Sequence, residues 1–243
     1  MLITKTAPSR HRYSLGRINW GAKLELPQPV QQELLACLHD KAEGPREGLA
    51  GRAAVRFAHL SGIGPVVIKK YCRGGALRFL RSSVHFRAGQ VRSEREFEVL
   101  EKVRALGIPA PEPVAFAWRG GRWYRAWLVT RHIENTRTLA DISRVDEARA
   151  QTVARQLVPL VEKLIANGVF HIDFHPGNVV VDEEGRLSIV DFDKARIVTG
   201  RERRRLAERY LRRWRRAVIK HNLSEVLTEV LCSALRRRDI ASH

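Results

Sequence analysis

Residues 171–181 read HIDFHPGNVVV, and residues 189–196 read IVDFDKAR. In each stretch an acidic residue, Asp173 or Asp191, stands beside a short aliphatic run that is typical of a buried strand. A loop that contains Pro and Gly precedes the first run, and a DEEG turn separates the two runs. The sequence therefore predicts two short strands that hold two carboxylates and the amide of Asn178 at fixed points.

The three polar side chains have the chemistry that phosphoryl transfer needs. One carboxylate must accept or orient the proton of the attacking hydroxyl, and oxygen ligands must hold Mg²⁺ beside the phosphates. Mg²⁺ usually takes only one or two carboxylates from the protein. We therefore expect Asp173 to be the catalytic base and Asn178 and Asp191 to be metal ligands. Either acid alone is better explained as a turn residue, but the spacing of all three favours the functional interpretation.

A lysine at the end of the run VVIK is the candidate for nucleotide binding. Lys69 can reach the α- and β-phosphates of a nucleotide if an acid on a helix holds it. We expect Glu96, in REFEVL, to be that acid, because Glu94 and Glu98 point elsewhere on the predicted helix. The alternatives are that Lys69 lies on a solvated strand face, or that the neighbouring Lys70 takes its place.

A glycine-rich stretch, residues 48–52, precedes this strand. Its backbone N–H groups, including that of Gly51, could cover phosphates, although most glycine clusters are turns.

The two histidines in HIDFHPGN suggest a zinc site, but nearby cysteines and an H-E-x-x-H pattern are both missing. We expect His171 to be packed in the core, and His175 to be structural or close to the substrate.

The order of the predicted elements is mostly strands, one helix, more strands and then mostly helices. This order predicts an α+β chain with a small β-rich lobe and a helical lobe. We assign residues 1–45 to an N-terminal extension with a short helix from Gln31 to Lys41, residues 46–135 to the first lobe and residues 136–243 to the second. The predicted strands are 53–60, 65–71, 122–133, 179–181 and 187–190, and the predicted helices are 92–106, 147–168 and 201–235.

The chain is strongly basic. Among 243 residues, 44 are Lys or Arg and 26 are Asp or Glu, which gives a formal net charge of +18. Such a charge attracts nucleic acid, an anionic membrane surface or a phosphorylated substrate. The three cysteines are far apart, which argues against a disulfide framework and fits a reducing compartment. We expect no signal peptide and no transmembrane segment.

The basic charge is concentrated in residues 201–220, which hold ten basic and two acidic residues. Apolar side chains recur there every four residues and predict a buried stripe, with the arginines facing outward or toward an acceptor. Arginines in this position can form bidentate hydrogen bonds with phosphate groups, or they can form an ordinary solvated face. The stripe comprises Leu206, Tyr210, Trp214 and Val218.

VVIK, REFEVL, HIDFHPGN and IVDFD, in this order, resemble the motifs of the protein-kinase-like superfamily over about residues 48–195. The chain departs from that pattern at Ile172, where Arg is usual, and at Asp193, where the Gly of D-F-G is usual. No A-P-E motif follows, and only 50 residues remain after Asp193. These departures imply a constitutively active kinase that acts on something other than a folded protein.

A narrower resemblance rests on KKYCRGGAL (69–77), SEREFEVLEKVRALGIPAPEPVAF, VDFDKAR and the Trp/Arg-rich tail. These stretches are similar to the lipopolysaccharide kinases, and the Y-x-R-G-G element is more like the Kdo (3-deoxy-D-manno-octulosonic acid) kinases than the heptose kinases. The resemblance implies a two-lobed protein-kinase-like fold with a shortened helical C-lobe, and ATP and Mg²⁺ as cofactors. It also implies phosphorylation of the Kdo 4-hydroxyl on Kdo–lipid A at the cytoplasmic face of the bacterial inner membrane.

Other functions remain open at this point. One is a heptose kinase of the same family, and another is an atypical, RIO-like Ser/Thr protein kinase. A third is a pseudokinase that binds RNA or a membrane, but a chain freed from catalysis need not keep all five candidate polar residues. RNA binding usually shows aromatic platforms or a known module, and only 7% of residues here are aromatic, so we expect no nucleic-acid partner.

Overall fold

The computed structural model of the chain divides into two compact units, which are described separately. The N-terminal unit comprises residues 1–98 and 112–132, and the C-terminal unit comprises residues 99–111 and 133–243. The structure describes residues 11–39, 54–72, 84–87 and 89–241.

The described part of the N-terminal unit is built on a seven-stranded antiparallel sheet. Its strand order is β1-β2-β6-β7-β4-β3, and β5 pairs with the first residues of β7. The strands are β1 (His11–Leu15), β2 (Ile18–Ala22), β3 (Ala54–Leu60), β4 (Gly64–Lys70), β5 (His85–Phe86), β6 (Pro113–Gly120) and β7 (Trp123–Arg131). The helices are α1 (Gln28–His39) and the first part of α2 (Arg92–Ala105).

The two faces of this sheet pack against different helices. Val66 and Ile68 of β4 belong to a buried cluster that also contains Leu34 of α1. On the other face, Phe97 of α2 meets Phe116 of β6 edge-on at a ring distance of 5.1 Å. Side chains alternate along a strand. Val67 and Lys69, on either side of Ile68, therefore point toward α2.

The segment predicted as an N-terminal extension is part of the sheet. Strand β2 pairs with β6 from Ile18↔Arg119 to Ala22↔Ala115. Helix α1, Gln28–His39, begins three residues before the predicted start, and the last two residues of the predicted helix lie outside the described residues. The division expected at residues 45 and 135 therefore differs from the two units observed. The reason is that β1 reads HRYSL and carries four exposed residues, so hydrophobic alternation does not reveal it.

The C-terminal unit is mainly helical, which together with the sheet confirms the predicted α+β class. Helices α4 and α7 pack together. The apolar periodicity of residues 147–168 predicts five inward residues in α4: Val153, Leu157, Val161 and Leu164 are buried, whereas Leu160 is only partly buried. The helices are α3 (Leu139–Val145), α4 (Glu147–Ala166), α5 (Gly200–Arg204), α6 (Leu206–Lys220) and α7 (Val226–Ala241). The short strands are β8 (Arg137–Thr138), β9 (Val169–Phe170), β10 (Val179–Val181), β11 (Leu187–Ile189) and β12 (Arg196–Ile197).

The basic tail was predicted as one helix, but it consists of α5, α6 and α7. Asn222 ends α6 with a φ of 48°, a left-handed conformation that asparagine tolerates better than most residues. The Leu223 N–H then donates to the Val218 carbonyl at 3.0 Å and closes the helix. The predicted stripe is confirmed, because Leu206, Tyr210, Trp214 and Val218 are all buried.

Within the described residues, each helix is either too short or too polar to cross a lipid bilayer.

Candidate active site

In the N-terminal unit, Lys69 of β4 contacts Glu96 of α2. The Lys69 Nζ lies 3.1 Å from Glu96 Oε1 and 3.2 Å from Glu96 Oε2. Glu96 is 3% exposed, so the lysine is needed to balance its buried charge. The sequence predicted this pairing. In the structure the two side chains meet because Lys69 lies on the sheet face that α2 covers.

The tyrosine of the Y-x-R-G-G element, to which the sequence assigned no role in the site, completes this cluster. Tyr71 is fully buried, and its hydroxyl donates to Glu96 Oε2. Its ring lies 5.3 Å from Lys69 Nζ and 5.0 Å from the Arg92 guanidinium. Position 71 is two residues after 69, so the alternation of an extended chain is the signal that could have identified it.

A neighbouring acid of the same helix, Glu94, is engaged elsewhere. Glu94 is also buried, and its Oε1 accepts from Arg12 of β1. This agrees with the expectation that Glu94 points away from Lys69.

In the C-terminal unit, a glycine and a tyrosine fix the start of the loop that carries Asp173. Gly168 has a φ of 65°, and a Cβ there would lie 2.4 Å from the Val198 carbonyl oxygen, so only glycine fits. The Tyr210 hydroxyl of α6 donates to the Val169 carbonyl and accepts from the His171 N–H, both at 2.9 Å. Helix α6 therefore holds this loop by its backbone.

Aromatic packing holds the middle of the same loop. Phe174 is fully buried and lies 5.0 Å from the ring of Trp214 and 5.1 Å from the ring of Tyr210. The Trp214 indole N–H donates to the Leu227 carbonyl of α7 at 3.0 Å. Because Phe174 is anchored inward, its neighbour Asp173 stays half-buried at the edge of the unit.

The loop ends in a short 3-10 helix, Pro176–Asn178. The His175 Nδ1 accepts from the Gly177 N–H at 3.1 Å. Burial, together with His171 and Arg213 nearby, lowers the pKa of His175 to about 4, so this histidine is neutral at pH 7. The Asn178 amide nitrogen donates to the Asp173 carbonyl at 2.9 Å, which leaves its amide oxygen available as a ligand.

Asp191 has an unusual backbone. Its φ is 62°, and non-glycine residues rarely adopt this left-handed conformation outside turns and functional sites. The preceding residue, Val190, donates to the Asn178 carbonyl at 2.9 Å, so the two predicted metal ligands are attached to adjacent backbone. The nearby carboxylate of Asp191 contributes an upward effect on the pKa of Asp173, which stronger effects described below outweigh.

His171 packs against the turn that carries Asp191 and is buried, as the sequence predicted. It is 1% exposed, its Nε2 lies 2.9 Å from the Val190 carbonyl oxygen, and its ring meets Phe192 at 4.6 Å. Burial lowers the pKa of His171 and outweighs the opposing effects of Asp191 and Asp173. A neutral Nε2–H donor to Val190 is the state that fits these contacts.

Two basic residues hold the carboxylate of Asp173. Lys194 Nζ lies 2.9 Å from Asp173 Oδ2, and Arg213 of α6 bonds to Oδ1. Burial raises the pKa of Asp173, but the hydrogen bond from Lys194 and the charges of Lys194 and Arg213 outweigh it, so the net pKa lies below the ordinary value. Asp173 is therefore ionised at neutral pH.

The oxygens of Asn178 and Asp191 fit the needs of a magnesium ion. No group of three or more His, Cys, Asp or Glu that could hold a metal exists within residues 11–39, 54–72, 84–87 and 89–241. Mg²⁺ does not need such a cage, since it keeps waters and substrate phosphates in most of its coordination positions. An amide oxygen and one carboxylate on adjacent backbone are the donor set that this ion uses beside a nucleotide.

One predicted site residue is not tested by these observations. Gly51, with the rest of the glycine-rich stretch 48–52, lies outside the described residues, and its nucleotide-binding role stays a prediction.

The chain matches a known family over most of its length. Residues 41–234 fit the model of the lipopolysaccharide kinase (Kdo/WaaP) family. The chain is similar to proteins named 3-deoxy-D-manno-octulosonic acid kinase from several bacteria. That of Xanthomonas campestris pv. campestris (strain B100) is 32% identical over 74% of this chain and 71% of its own length. That of Xylella fastidiosa (strain 9a5c) is 29% identical over 71% of this chain and 69% of its own length.

The matched region contains all six predicted site residues, from Gly51 to Asp191. It confirms the resemblance that the sequence motifs indicated, including the protein-kinase-like fold. This chain therefore belongs to the lipopolysaccharide kinase (Kdo/WaaP) family and is a phosphotransferase that acts on an alcohol group of a lipopolysaccharide sugar.

Proposed function

We propose that this kinase transfers the γ-phosphoryl group of ATP to the 4-hydroxyl of Kdo on Kdo–lipid A. The observation that carries the proposal is the carboxylate of Asp173, which is ionised and held by Lys194 and Arg213. The names of the similar proteins support Kdo as the acceptor sugar.

In this proposal Asp173 orients the acceptor hydroxyl and receives its proton. A carboxylate with a lowered pKa is a weak base, but the transition state of phosphoryl transfer is loose and asks little of the base. Asn178 and Asp191 would hold Mg²⁺, which neutralises charge on the transferring group when bound. Lys69, held by Glu96, would bind the α- and β-phosphates.

Lys194 and Arg213 add two positive charges next to the oxygen that receives the proton. Both side chains are partly exposed, so they are accessible to a ligand as well as to Asp173. An anionic acceptor, with a carboxylate on the sugar and phosphates on the lipid, supplies groups that these cations can bind. We propose that they orient the acceptor and leave Asp173 ionised.

The outer face of α6 supports a peripheral position at the cytoplasmic face of the inner membrane. Arg212, Arg215 and Arg216 are exposed, and Ile219 beside them is 80% exposed. Basic residues near an anionic leaflet contribute about 1 kcal/mol each, and an exposed apolar residue among them can enter the interface. Arg213 is not part of this surface, because it turns toward Asp173.

The test is an acceptor panel with Mg²⁺ and ATP. Kdo–lipid A, a heptosylated core and a generic protein are incubated separately with the kinase, and the products are examined by mass spectrometry. The proposal predicts addition of one phosphate to Kdo–lipid A, at the 4-hydroxyl. Modification of the heptosylated core alone would replace the acceptor with a heptose, and modification of the protein alone would refute a sugar acceptor.

A further inference from the structure

A cationic cleft lies in the N-terminal unit, at the end of the sheet where two hairpin turns meet. One turn joins β1 to β2 and contains Arg17, and the other joins β6 to β7 between Gly120 and Trp123. The cleft has a volume of about 510 Å³, which is enough for a sugar phosphate. Its lining includes Arg17, Arg119, Gly120, Trp123 and Arg125.

The positive charge of this cleft is not balanced. Three of its lining residues are arginines and none is acidic. Among the residues that the structure describes, Arg17, Arg119 and Arg125 form no ion pair or side-chain hydrogen bond, whereas Arg12 in the same unit pairs with Glu94. The three guanidinium groups are therefore available to an anion.

The strand register places two of these arginines against each other. Arg119 of β6 lies directly opposite Arg125 of β7. Like charges in opposed positions of antiparallel strands are destabilising, and nothing in the β6–β7 hairpin itself requires them. A bound anion would remove the repulsion between the two guanidinium groups. The opposed arginines are therefore explained by ligand binding and not by the stability of the hairpin.

An aromatic ring completes the cleft. Trp123 is 58% exposed, although it belongs to a strand and not to a flexible turn. Phe86 of β5 supports it edge-on at 5.2 Å, which fixes the orientation of the indole. Gly120 makes the turn possible, since a Cβ there would lie 2.3 Å from the Trp123 carbonyl oxygen. A fixed, exposed ring beside guanidinium groups can stack on a sugar while they bind its phosphate.

We propose that this cleft is a second binding site, which takes a phosphorylated sugar. It is separate from the nucleotide-binding lysine, because Trp123 lies five residues along β7 from Leu128, the strand partner of Lys69. That separation corresponds to about 17 Å. The ligand is either a free sugar phosphate or the phosphorylated headgroup of a glycolipid. The proposal concerns binding alone, so it does not depend on which hydroxyl the kinase phosphorylates.

The experiment uses the fluorescence of Trp123. The other four tryptophans are each less than 9% exposed, so acrylamide quenching reports mainly on this one. We expect glucose 1-phosphate to protect Trp123 in a saturable manner, and glucose at the same concentration to give no protection. Protection by inorganic phosphate with the same affinity would overturn the sugar part of the proposal, and no saturable protection by glucose 1-phosphate or by lipid A micelles would overturn it entirely.

Variants show whether the arginines carry the binding. The double variant R119Q/R125Q should bind glucose 1-phosphate at least tenfold more weakly, because it loses two charged hydrogen-bond donors. R95Q is the matched control, since Arg95 is an exposed arginine of the same unit that does not line the cleft. Equal affinity in R119Q/R125Q and the wild type, or an equal loss in R95Q, would contradict the assignment.

A stability measurement gives an independent readout. R125Q should raise the urea midpoint of the ligand-free protein, because it removes the repulsion from Arg119. Glucose 1-phosphate at one fixed concentration should raise the midpoint of the wild type more than that of R125Q. Lipid A in detergent micelles is then compared with glucose 1-phosphate: protection by the micelles alone identifies a glycolipid headgroup, and protection by both identifies any phosphorylated sugar. An unchanged urea midpoint in R125Q would show that Arg119 and Arg125 do not destabilise the ligand-free protein by repulsion.

Discussion

At the scale of single residues, the balance of charge around Asp173 determines what the site can do. A half-buried carboxylate would ordinarily bind protons more tightly than one in water, but Lys194 and Arg213 reverse this effect. The same two cations approach from different elements, one from the turn after Asp191 and the other from α6. Ionisation of Asp173 therefore depends on how α6 is packed.

Arg213→Gln tests this dependence. Removal of a cation that lowers the pKa of Asp173 should raise that pKa, so the acidic limb of the pH profile of kcat/KM should move to higher pH. We also expect kcat to fall about 10- to 100-fold, since a charge beside the transferring group is lost. The measurement is kcat/KM for acceptor phosphorylation between pH 4.5 and 8.

Arg212→Gln is the matched control, because Arg212 is the adjacent arginine of α6 and is exposed. Its pH profile should equal that of the wild type. An identical shift in both variants would mean that net charge alone, and not the contact with Asp173, sets the pKa.

His175 predicts how stability changes with pH. Burial lowers its pKa to about 4 in the folded state, against 6.5 for an ordinary histidine. Its contribution to stability is therefore complete above pH 6.5 and is lost as the pH falls toward 4, because only the unfolded chain takes up the proton in this range. We expect His175→Gln to reduce the loss of stability between pH 7 and pH 5, measured by urea unfolding. A wild-type slope in the variant would contradict the assignment.

The residues that the sequence predicted lie on elements with clear periodicity or within one short motif. Lys69 and Glu96 come from a strand and a helix with clear periodicity, and Asn178 is five residues from Asp173. Arg213 could not be assigned in the same way, because it lies 40 residues from Asp173. The sequence grouped it with the other arginines of the tail, which were expected to face outward or toward an acceptor, and the contact with Asp173 is seen only in the folded chain.

At the scale of elements, α6 is the support of the candidate site. One side of this helix buries Tyr210 and Trp214 against Phe174, and the hydroxyl of Tyr210 joins the loop to β9. Its other side carries the exposed arginines. The helix thus links the position of the acidic loop to the basic surface within one unit.

Tyr210→Phe should destabilise the C-terminal unit by about 1–3 kcal/mol. The change leaves the buried Val169 carbonyl and His171 N–H without this partner. We also expect kcat to fall while the affinity for nucleotide is kept, since the loop of Asp173 loses an anchor. Urea unfolding and steady-state kinetics measure the two effects.

Tyr13→Phe is the control for this change. The Tyr13 hydroxyl is buried and has no hydrogen-bond partner within the described residues, so its removal should be neutral or stabilising. Equal losses in the two variants would show that the hydrogen bonds of Tyr210 do not support the loop.

Strand periodicity explains which elements the sequence revealed. The hairpin of β3 and β4 alternates and was predicted to within about one residue. Strand β6 was missed, because its residues 115–118 are all buried and therefore give no alternation. Strands β5, β8, β9 and β12 have two residues each, which is too short for any pattern.

At the scale of the whole molecule, the charge of +18 is the property that favours an anionic surface. R212Q/R215Q/R216Q should weaken binding to anionic vesicles by up to about 100-fold, because each arginine contributes about 1 kcal/mol there. A vesicle flotation assay with and without anionic lipid measures the change. Arg213 is kept intact in this variant, so the contact with Asp173 is preserved.

R137Q/R149Q/R155Q is the matched control for net charge. These three arginines are exposed in the same unit, on β8 and α4, so the variant loses as much charge as the first. Equal loss of flotation in both triple variants would assign membrane binding to total charge and not to the surface of α6.

The central claim is that Asp173 serves the acceptor hydroxyl and not the nucleotide. The most direct measurement compares wild type and Asp173→Asn in single-turnover phosphorylation of Kdo–lipid A, with Mg²⁺–ATP binding measured in parallel. We predict that transfer falls by about 10²–10⁴-fold while nucleotide affinity changes less than about threefold. Transfer at the wild-type rate in Asp173→Asn, or a loss of transfer that nucleotide binding alone explains, would contradict this account.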